Sequence, residues 1–325
     1  MKKSLFIRLK KIVFFSSIAT ILFFTLSCSQ ITIYTKPSID TREDWRTKLN
    51  TNKAQAEKRW WQGFQDPILD NLINEGLQNN LDILLVSLRV QEYRGKYMST
   101  SGPLYPQVDI DVSALRNQIT DHGQKTIGDS YNININISWE IDFWGKIKGM
   151  EESAMAQLLN TEEAKQAVLL TIVSSITDTY MTLLSLDEQL RIARDTTKSR
   201  KEYYDIFQLR FQGGVISELE LNQARSEYES ARANIPNLHR QITQKENELG
   251  LLIGANPKSI KRSKSLHTIN TPSIPAGLPS ELIQRRPDIR QAEKDLISAN
   301  ALIGVARAFF FSKYISYRDV WLGKQ

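Results

Sequence analysis

The chain has 325 residues but only one cysteine, Cys28, and three histidines. A single thiol excludes a disulfide framework, and three scattered imidazoles form no zinc or haem ligand set. Proline is absent between Trp144 and Gln212, and glycine occurs there only at Gly145 and Gly149. Nothing in that stretch stops a helix. A basic face is also missing. The net charge is +6, but Lys2, Lys3, Arg8, Lys10 and Lys11 supply most of it, and the rest of the chain intersperses both signs. No surface remains to hold a phosphate backbone, so nucleic acid is not expected as a partner. After the N-terminus no apolar run reaches the roughly 20 residues of a membrane-spanning helix. No Ser/His/Asp arrangement and no phosphate-binding loop stands out, so no catalytic residue, metal site or cofactor is expected, and the protein is not read as an enzyme.

What is present begins with an address. The basic cluster precedes an apolar run, Ile12 to Leu26, which ends at Ser27-Cys28-Ser29-Gln30. A basic start, a short apolar middle and small residues at the end read as a secretory signal over 1–27. Thr25-Leu26-Ser27-Cys28 resembles the site at which bacterial lipoproteins are cut and acylated, with Thr25 where leucine is usual. Ser29 replaces the aspartate that retains many lipoproteins at the inner membrane. An ordinary signal with an incidental cysteine is the alternative. Lipidation of Cys28 is favoured because a lone free thiol is a liability in an exported protein. Residues 28–56, with Pro37, read as an extended tether anchored in outer-membrane lipid.

The region 57–103 reads as helical. Trp60, Trp61 and Phe64 lead into Asp66-Pro67, a cap followed by the residue suited to a first helical turn. Leu69, Leu72, Ile73 and Leu77 follow at three-four spacing, and Asn79-Asn80 separates a second helix starting near Asp82-Ile83. The period then changes. Val108, Ile110, Val112 and Ala114 alternate with Asp109, Asp111 and Ser113; from Tyr131, Ile133, Ile135, Ile137, Trp139 and Ile141 alternate with Asn132, Asn134, Asn136, Ser138 and Glu140. These are strands with one greasy and one wet face, joined through a loop at His122-Gly123 and Gly128-Asp129. A soluble sandwich is one fate for such strands. A transmembrane barrel is favoured over 104–143 because each strand approaches the roughly 9–11 residues a bilayer needs, and Trp139, Phe143 and Trp144 supply an interfacial girdle.

Residues 144–254 read as a long helical hairpin. Val168, Ile172, Ile176, Tyr180, Leu183 and Leu184 form a stripe, and an unbroken helix from Trp144 to Gln212 would be about 100 Å long at 1.5 Å per residue. Gly213-Gly214 stops it and Ser217 caps the return. Leu221, Ala224, Tyr228, Ala231, Ile235, Leu238, Ile242, Leu249 and Leu252 then form a heptad seam broken only by Lys245. Pro236 is expected to kink or break that helix. Residues 255–277 read as a linker whose basic run, Lys258 to Lys264, is solvated. At an offset of 206 residues, Asp82-Ile83 matches Asp288-Ile289 and Leu77 matches Ile283, so 278–308 reads as the start of a second copy of the helix-then-strand unit.

These residues resemble a family, the TolC-like outer-membrane efflux factors, and within it the lipoprotein channels of tripartite drug-efflux pumps. The resemblance runs from Trp60 to about Phe311. It rests on Trp61/Phe64/Asp66-Pro67/Leu69, on Ser138 to Gly145, on Arg210-Phe211 through Gly214, Ser217, Leu219 and Gln223-Ala224, and most on Arg285-Arg286-Pro287-Asp288-Ile289-Arg290 with the small residues after it. It implies a mainly α protein with a transmembrane β-hairpin. The long coiled-coil hairpin would lie in the periplasm, and the strands would join a trimeric β-barrel. It further implies a homotrimer, a passive conduit from periplasm to exterior, and a tip at Arg210, Gly213, Gly214, Val215 and Ser217 that meets a periplasmic adaptor serving an inner-membrane pump. A channel for type I protein secretion, or a pore-less periplasmic coiled-coil lipoprotein, are the alternatives.

The resemblance also implies a second strand hairpin and helical hairpin, which the chain does not reach, leaving the second repeat incomplete. Over 309–325 the family pattern is lost, with Ser312 where the first copy has Pro106. A frame change explains this as a hypothesis: codons for Ser312 to Gln325 can be chosen that, one base later, read Pro-Ser-Ile-Ser-Leu-Thr-Gly-Thr-Tyr-Gly, an alternating strand. A thymine run at Phe309-Phe310-Phe311 would favour such a slip, and resequencing it decides the point. The 325-residue form is accordingly expected not to conduct, since two strands per protomer would make six in a trimer, fewer than the roughly eight that only just enclose side chains.

Overall fold

The computed structural model describes residues 33–38, 59–121, 124–272 and 283–310. The signal, Cys28 and the tail carrying the frame-change reading lie outside the described residues. The described chain is mainly helical with one strand pair. A 3-10 turn, Trp60–Phe64, precedes α1 (Pro67–Asn79) and α2 (Leu81–Ser101). A second 3-10 turn, Gly102–Leu104, leads to strands β1 (Gln107–Asp121) and β2 (Gln124–Ser138). Then come α3 (Lys146–Gln212), α4 (Glu218–Leu252) and α5 (Pro287–Ala308). Helices α2 and α5 start at the offset of the internal repeat.

The chain forms two compact units. One takes Arg89–Glu163 with the described residues of the flanking 1–39 and 288–325; the other takes Ala164–Pro287 with the described residues of 40–88. In the second unit the stripe on α3 is the core. Ile176, Tyr180 and Leu183 are fully buried, together with Leu69 and Ile73 of α1 and Leu249 of α4. By length and composition α3 carries a stretch apolar enough to cross a membrane. This corrects the expectation that no such stretch follows the N-terminus. The physical reason for its apolarity is this core, since its buried residues face α1 and α4.

The α4 seam packs as the heptad spacing predicts, with Ala224, Leu238, Ile242 and Leu249 buried. Pro236 does not break the helix, contrary to expectation. It lies on the exposed side, where the carbonyl that loses its amide partner can bond water, while Ile235 and Leu238 hold the helix on its seam.

The joints of this unit are polar. Asp66 is only 1% exposed. Its carboxylate accepts from Ile68 N at 2.9 Å, Leu69 N at 3.2 Å and Tyr180 Oη at 2.9 Å, and from Ser263 Oγ at 2.5 Å. One side chain thus caps α1 and ties it to α3 and to the segment after α4. Burial, then the bond to Asp66, push the Tyr180 phenol well above its usual range. Asn80 works similarly: its Oδ1 accepts from Asp82 N and Ile83 N, while its Nδ2 donates to Leu252 O.

The segment after α4 corrects a second expectation in part: Lys258 and Lys261 are exposed, as a solvated run should be, but Arg262 beside them is docked. Ile260 is buried, and Arg262 bonds Asp187 at 2.8 Å and Glu246 at 2.6 Å. Two carboxylates on separate helices make a site for one guanidinium, a pairing invisible in a local count of charges.

In the other unit α5 packs antiparallel on the start of α3. Ser153 and Ser298 share a buried hydroxyl contact of 2.8 Å, Asn160 Nδ2 donates to Gln291 O, and Arg290 pairs with Glu163 at 2.7 Å. A Cβ on Gly149 would fall 2.8 Å from Val305 Cγ2, so only glycine permits this approach.

Replacing Asp66 by alanine removes the cap and leaves Tyr180 unpartnered in the core. The expected loss is about 2–4 kcal/mol, and Asp66→Asn, which still caps, should lose about half of that or less. Thermal unfolding in detergent, followed by circular dichroism, measures both.

Candidate functional site

The strand pair carries the first candidate surface. The ladder is antiparallel from Gln107↔Ser138 to Asp121↔Gln124, fifteen residues in each strand. The ladder is therefore longer than expected, and Gly128-Asp129 belongs to it instead of to the loop. The register puts like with like. Val108 faces Ile137, Ile110 faces Ile135, Val112 faces Ile133 and Ala114 faces Tyr131; on the other face Asp109 meets Asn136 and Asp111 meets Asn134. Asn136 Nδ2 donates to Asp111 Oδ2 at 3.0 Å. Four apolar rows thus stand uncovered, with Ile110 64% and Val112 73% exposed. Beyond them the Arg116–Asp129 ion pair, at 3.4 Å, ends the apolar band.

Trp139 and Phe143 are exposed and Trp144 is half-buried. None lies in a strand, although alternation suggested that β2 continues to Ile141. It stops at Ser138 because β1 begins at Gln107, and past that pair no partner backbone is available. Trp139 Nε1 instead donates to Leu104 O at 3.2 Å, which holds the ring at this end of the ladder beside exposed Tyr105. Lys146 Nζ binds Glu140 at 2.6 Å where α3 begins.

The second surface is the turn between α3 and α4. Val215 N donates to Arg210 O at 2.9 Å and Gly214 N to Phe211 O at 2.9 Å, the pair of bonds that closes a helix through a left-handed residue. That residue is Gly214, at φ 71°. Ser217 then caps α4 in a reciprocal box with Glu220. The five tip residues named from sequence come together in this one turn. Val215 is 73% exposed, Leu209 and Leu219 are also exposed, and the Arg210 guanidinium lies over the Phe207 ring. Below the tip, Tyr204 stacks on Tyr228 and Arg200 pairs with Glu227 across the two helices.

A charge cluster that sequence reading missed lies on α3 in the same unit. Glu188 accepts from Arg191 and meets His267 at 3.2 Å. Its carboxyl is pulled down to about 2, first by Arg191 and then by His267. The Glu188–Arg191 pair, three residues apart on one helix, was open to a spacing rule, whereas His267 is too far along the chain for one. Among the described residues no group of histidine, cysteine and carboxylate side chains could hold a metal ion.

An amphipathic hairpin exposed on both faces, with a long two-helix element, is the fold class of outer-membrane channels. The family model for outer membrane efflux protein matches residues 72–255, and the chain belongs to that family. It is 31% identical over 307 residues to the toluene efflux pump outer membrane protein TtgC of Pseudomonas putida, covering 91% of this chain and 63% of TtgC. It is 32% identical over 304 residues to SilC of Salmonella typhimurium, named as a probable outer membrane lipoprotein, covering 91% and 65%. The open-state MtrE outer membrane channel of Neisseria gonorrhoeae superposes with TM-score 0.75 at 27% identity, covering 87% of this chain and 64% of MtrE. The chain thus spans about two thirds or slightly less of the length of these relatives. It is an outer-membrane protein of the efflux-channel fold, and of these relatives one is named for efflux and none for catalysis.

Because the Glu188 carboxyl is held below its ordinary value, its contacts with Arg191 and His267 stabilise the fold above about pH 4.5 and are lost as pH falls toward about 2. Hydrogen exchange of the 265–268 amides, corrected for the intrinsic rate, should rise across that window and be insensitive to it in Glu188→Gln.

Proposed function

We propose that this chain is a protomer of the outer-membrane channel of a tripartite efflux pump. It is a passive, non-enzymatic conduit for small molecules from periplasm to exterior, assembled as a homotrimer with a periplasmic adaptor and an inner-membrane pump. The observation that carries this reading is the hairpin face. Four consecutive apolar rows without cover are costly in water, whereas a bilayer is a solvent that matches them. From Tyr105, two residues before β1, to Ala114 the chain spans up to about 30 Å at 3.3 Å per residue. A tilt of about 40° reduces this to about 23 Å, near the roughly 25 Å apolar band of outer-membrane barrels. Trp139, Phe143 and Trp144 form the girdle at the α3 end, and the Asp/Asn face lines water.

On this reading 104–143 is the membrane part, 144–254 the periplasmic hairpin, 255–277 a linker and 278–308 the start of the second repeat. Cys28 carries the lipid, a reading supported by a relative named as a lipoprotein. The uncovered strands disfavour a pore-less coiled-coil lipoprotein, and relatives named for toluene efflux favour small molecules over protein secretion.

Single cysteines on a Cys28→Ser background test the membrane placement. Ile110→Cys should react with a lipid-soluble maleimide and resist a charged one, while Asp111→Cys should do the reverse. Equal labelling of both by the charged reagent would refute the placement.

The adaptor role is read at the tip. Gly214→Pro forces φ to about −65° and removes the amide that bonds Phe211 O. It should lower adaptor crosslinking at Val215→Cys severalfold while membrane insertion is unchanged. Val215→Cys that captures no adaptor in the otherwise unchanged protein would assign the adaptor contact elsewhere.

A further inference from the structure

The segment Ile33–Ser38 belongs to the unit that holds the hairpin and α5. It has no regular secondary structure, but it is not free. Tyr34 is half-buried with its hydroxyl shielded from solvent, and Lys36 Nζ lies 2.9 Å from Glu293 Oε2. The glutamate side chain is 25% exposed and the lysine 59%. An exposed ion pair is a weak tie, so this latch is reversible.

Its position along α5 matters. Antiparallel packing sets Val305 beside Gly149, and Lys146 reaches the Phe309 ring, so the C-terminal end of α5 lies where the hairpin feeds α3. Glu293 precedes Ala308 by 15 residues, about 22 Å along a helix at 1.5 Å per residue. Lys36 follows Cys28 by eight residues, and eight residues span about 27 Å when nearly fully extended. The two lengths match to within a few ångströms.

We propose that Ile33–Ser38 is a docked strap, latched by Lys36 and Glu293, that sets the reach of the N-terminal lipid anchor. The lipid on Cys28 can then enter the bilayer beside the base of the hairpin only if the intervening residues are almost taut. The latch stands on the geometry alone, whereas the reach rests on the proposed acylation of Cys28.

A water-soluble carbodiimide separates the two. It activates the Glu293 carboxylate, and attack by the Lys36 amine forms an amide as the carbodiimide leaves as its urea. Mass spectrometry of the membrane-extracted protein should find the Lys36–Glu293 crosslink. It should vanish in Glu293→Gln and in Glu293→Lys, and return in Lys36→Glu/Glu293→Lys. A wild-type protein without the crosslink overturns the latch.

Deleting residues 30–32 removes about 10 Å of reach. In protein labelled by a palmitate analogue, this deletion should abolish the crosslink, and adding Cys28→Ser should restore it. A crosslink that survives the deletion in labelled protein overturns the taut tether. Protein that takes up no label overturns the anchor's role while leaving the latch to the first measurement.

Discussion

A helix of 67 residues cannot bury its own apolar side, and the rest of this structure answers that constraint along α3. The two units use different chemistry to do so. Before Glu163, small and hydroxylated residues let α5 approach closely, through Gly149, Ser153 and Ser298. After Ala164, large aliphatic side chains and Tyr180 interleave with α1 and α4. Close helix approach suits small residues, while a wide core takes leucine and isoleucine, so the sequence of α3 changes character where its partner changes.

Large cores still leave helix ends unsatisfied, and here those ends are joined by side chains instead of being left to water. Asp66 serves the start of α1, Tyr180 and Ser263 together; Asn80 serves the start of α2 and the end of α4; Arg262 bridges α3 and α4. Each joint is a charged or amide group with several partners. Such groups are costly to bury alone and stabilising when every lone pair is used. The same economy of partners explains why the segment after α4 docks on the helices through Arg262, one of its four basic residues between 258 and 264.

The hairpin obeys a different rule. Its two strands satisfy each other along their facing edges, while their outer edges keep backbone groups that further strands would have to pair. Its side chains do need a solvent, and the two faces need different ones. That division, apolar on one face and Asp/Asn on the other, gives a membrane protein its inside and outside with two strands' worth of information.

Periodicity was legible in the residues themselves. Alternation at Val108–Ala114 and Tyr131–Ile137, the stripe on α3, the seam on α4 and the Gly214–Ser217 caps all depend on neighbours within one turn or one strand, and local chain geometry is enough to determine them. What depended on a distant partner was not legible. Alternation past Ser138 looked like strand until the register of β1 ran out. Pro236 looked like a break until the seam on either side was packed. Arg262, inside a run read as solvated, was not distinguished from its exposed neighbours Lys258 and Lys261 until Asp187 and Glu246 converged on it. Lys36 carried no local signal that Glu293, far along the chain, stands beside it. A single chain states which groups want partners; only the folded structure brings the partners within bonding distance, because hydrogen bonds and ion pairs act over a few ångströms and take no account of separation along the sequence.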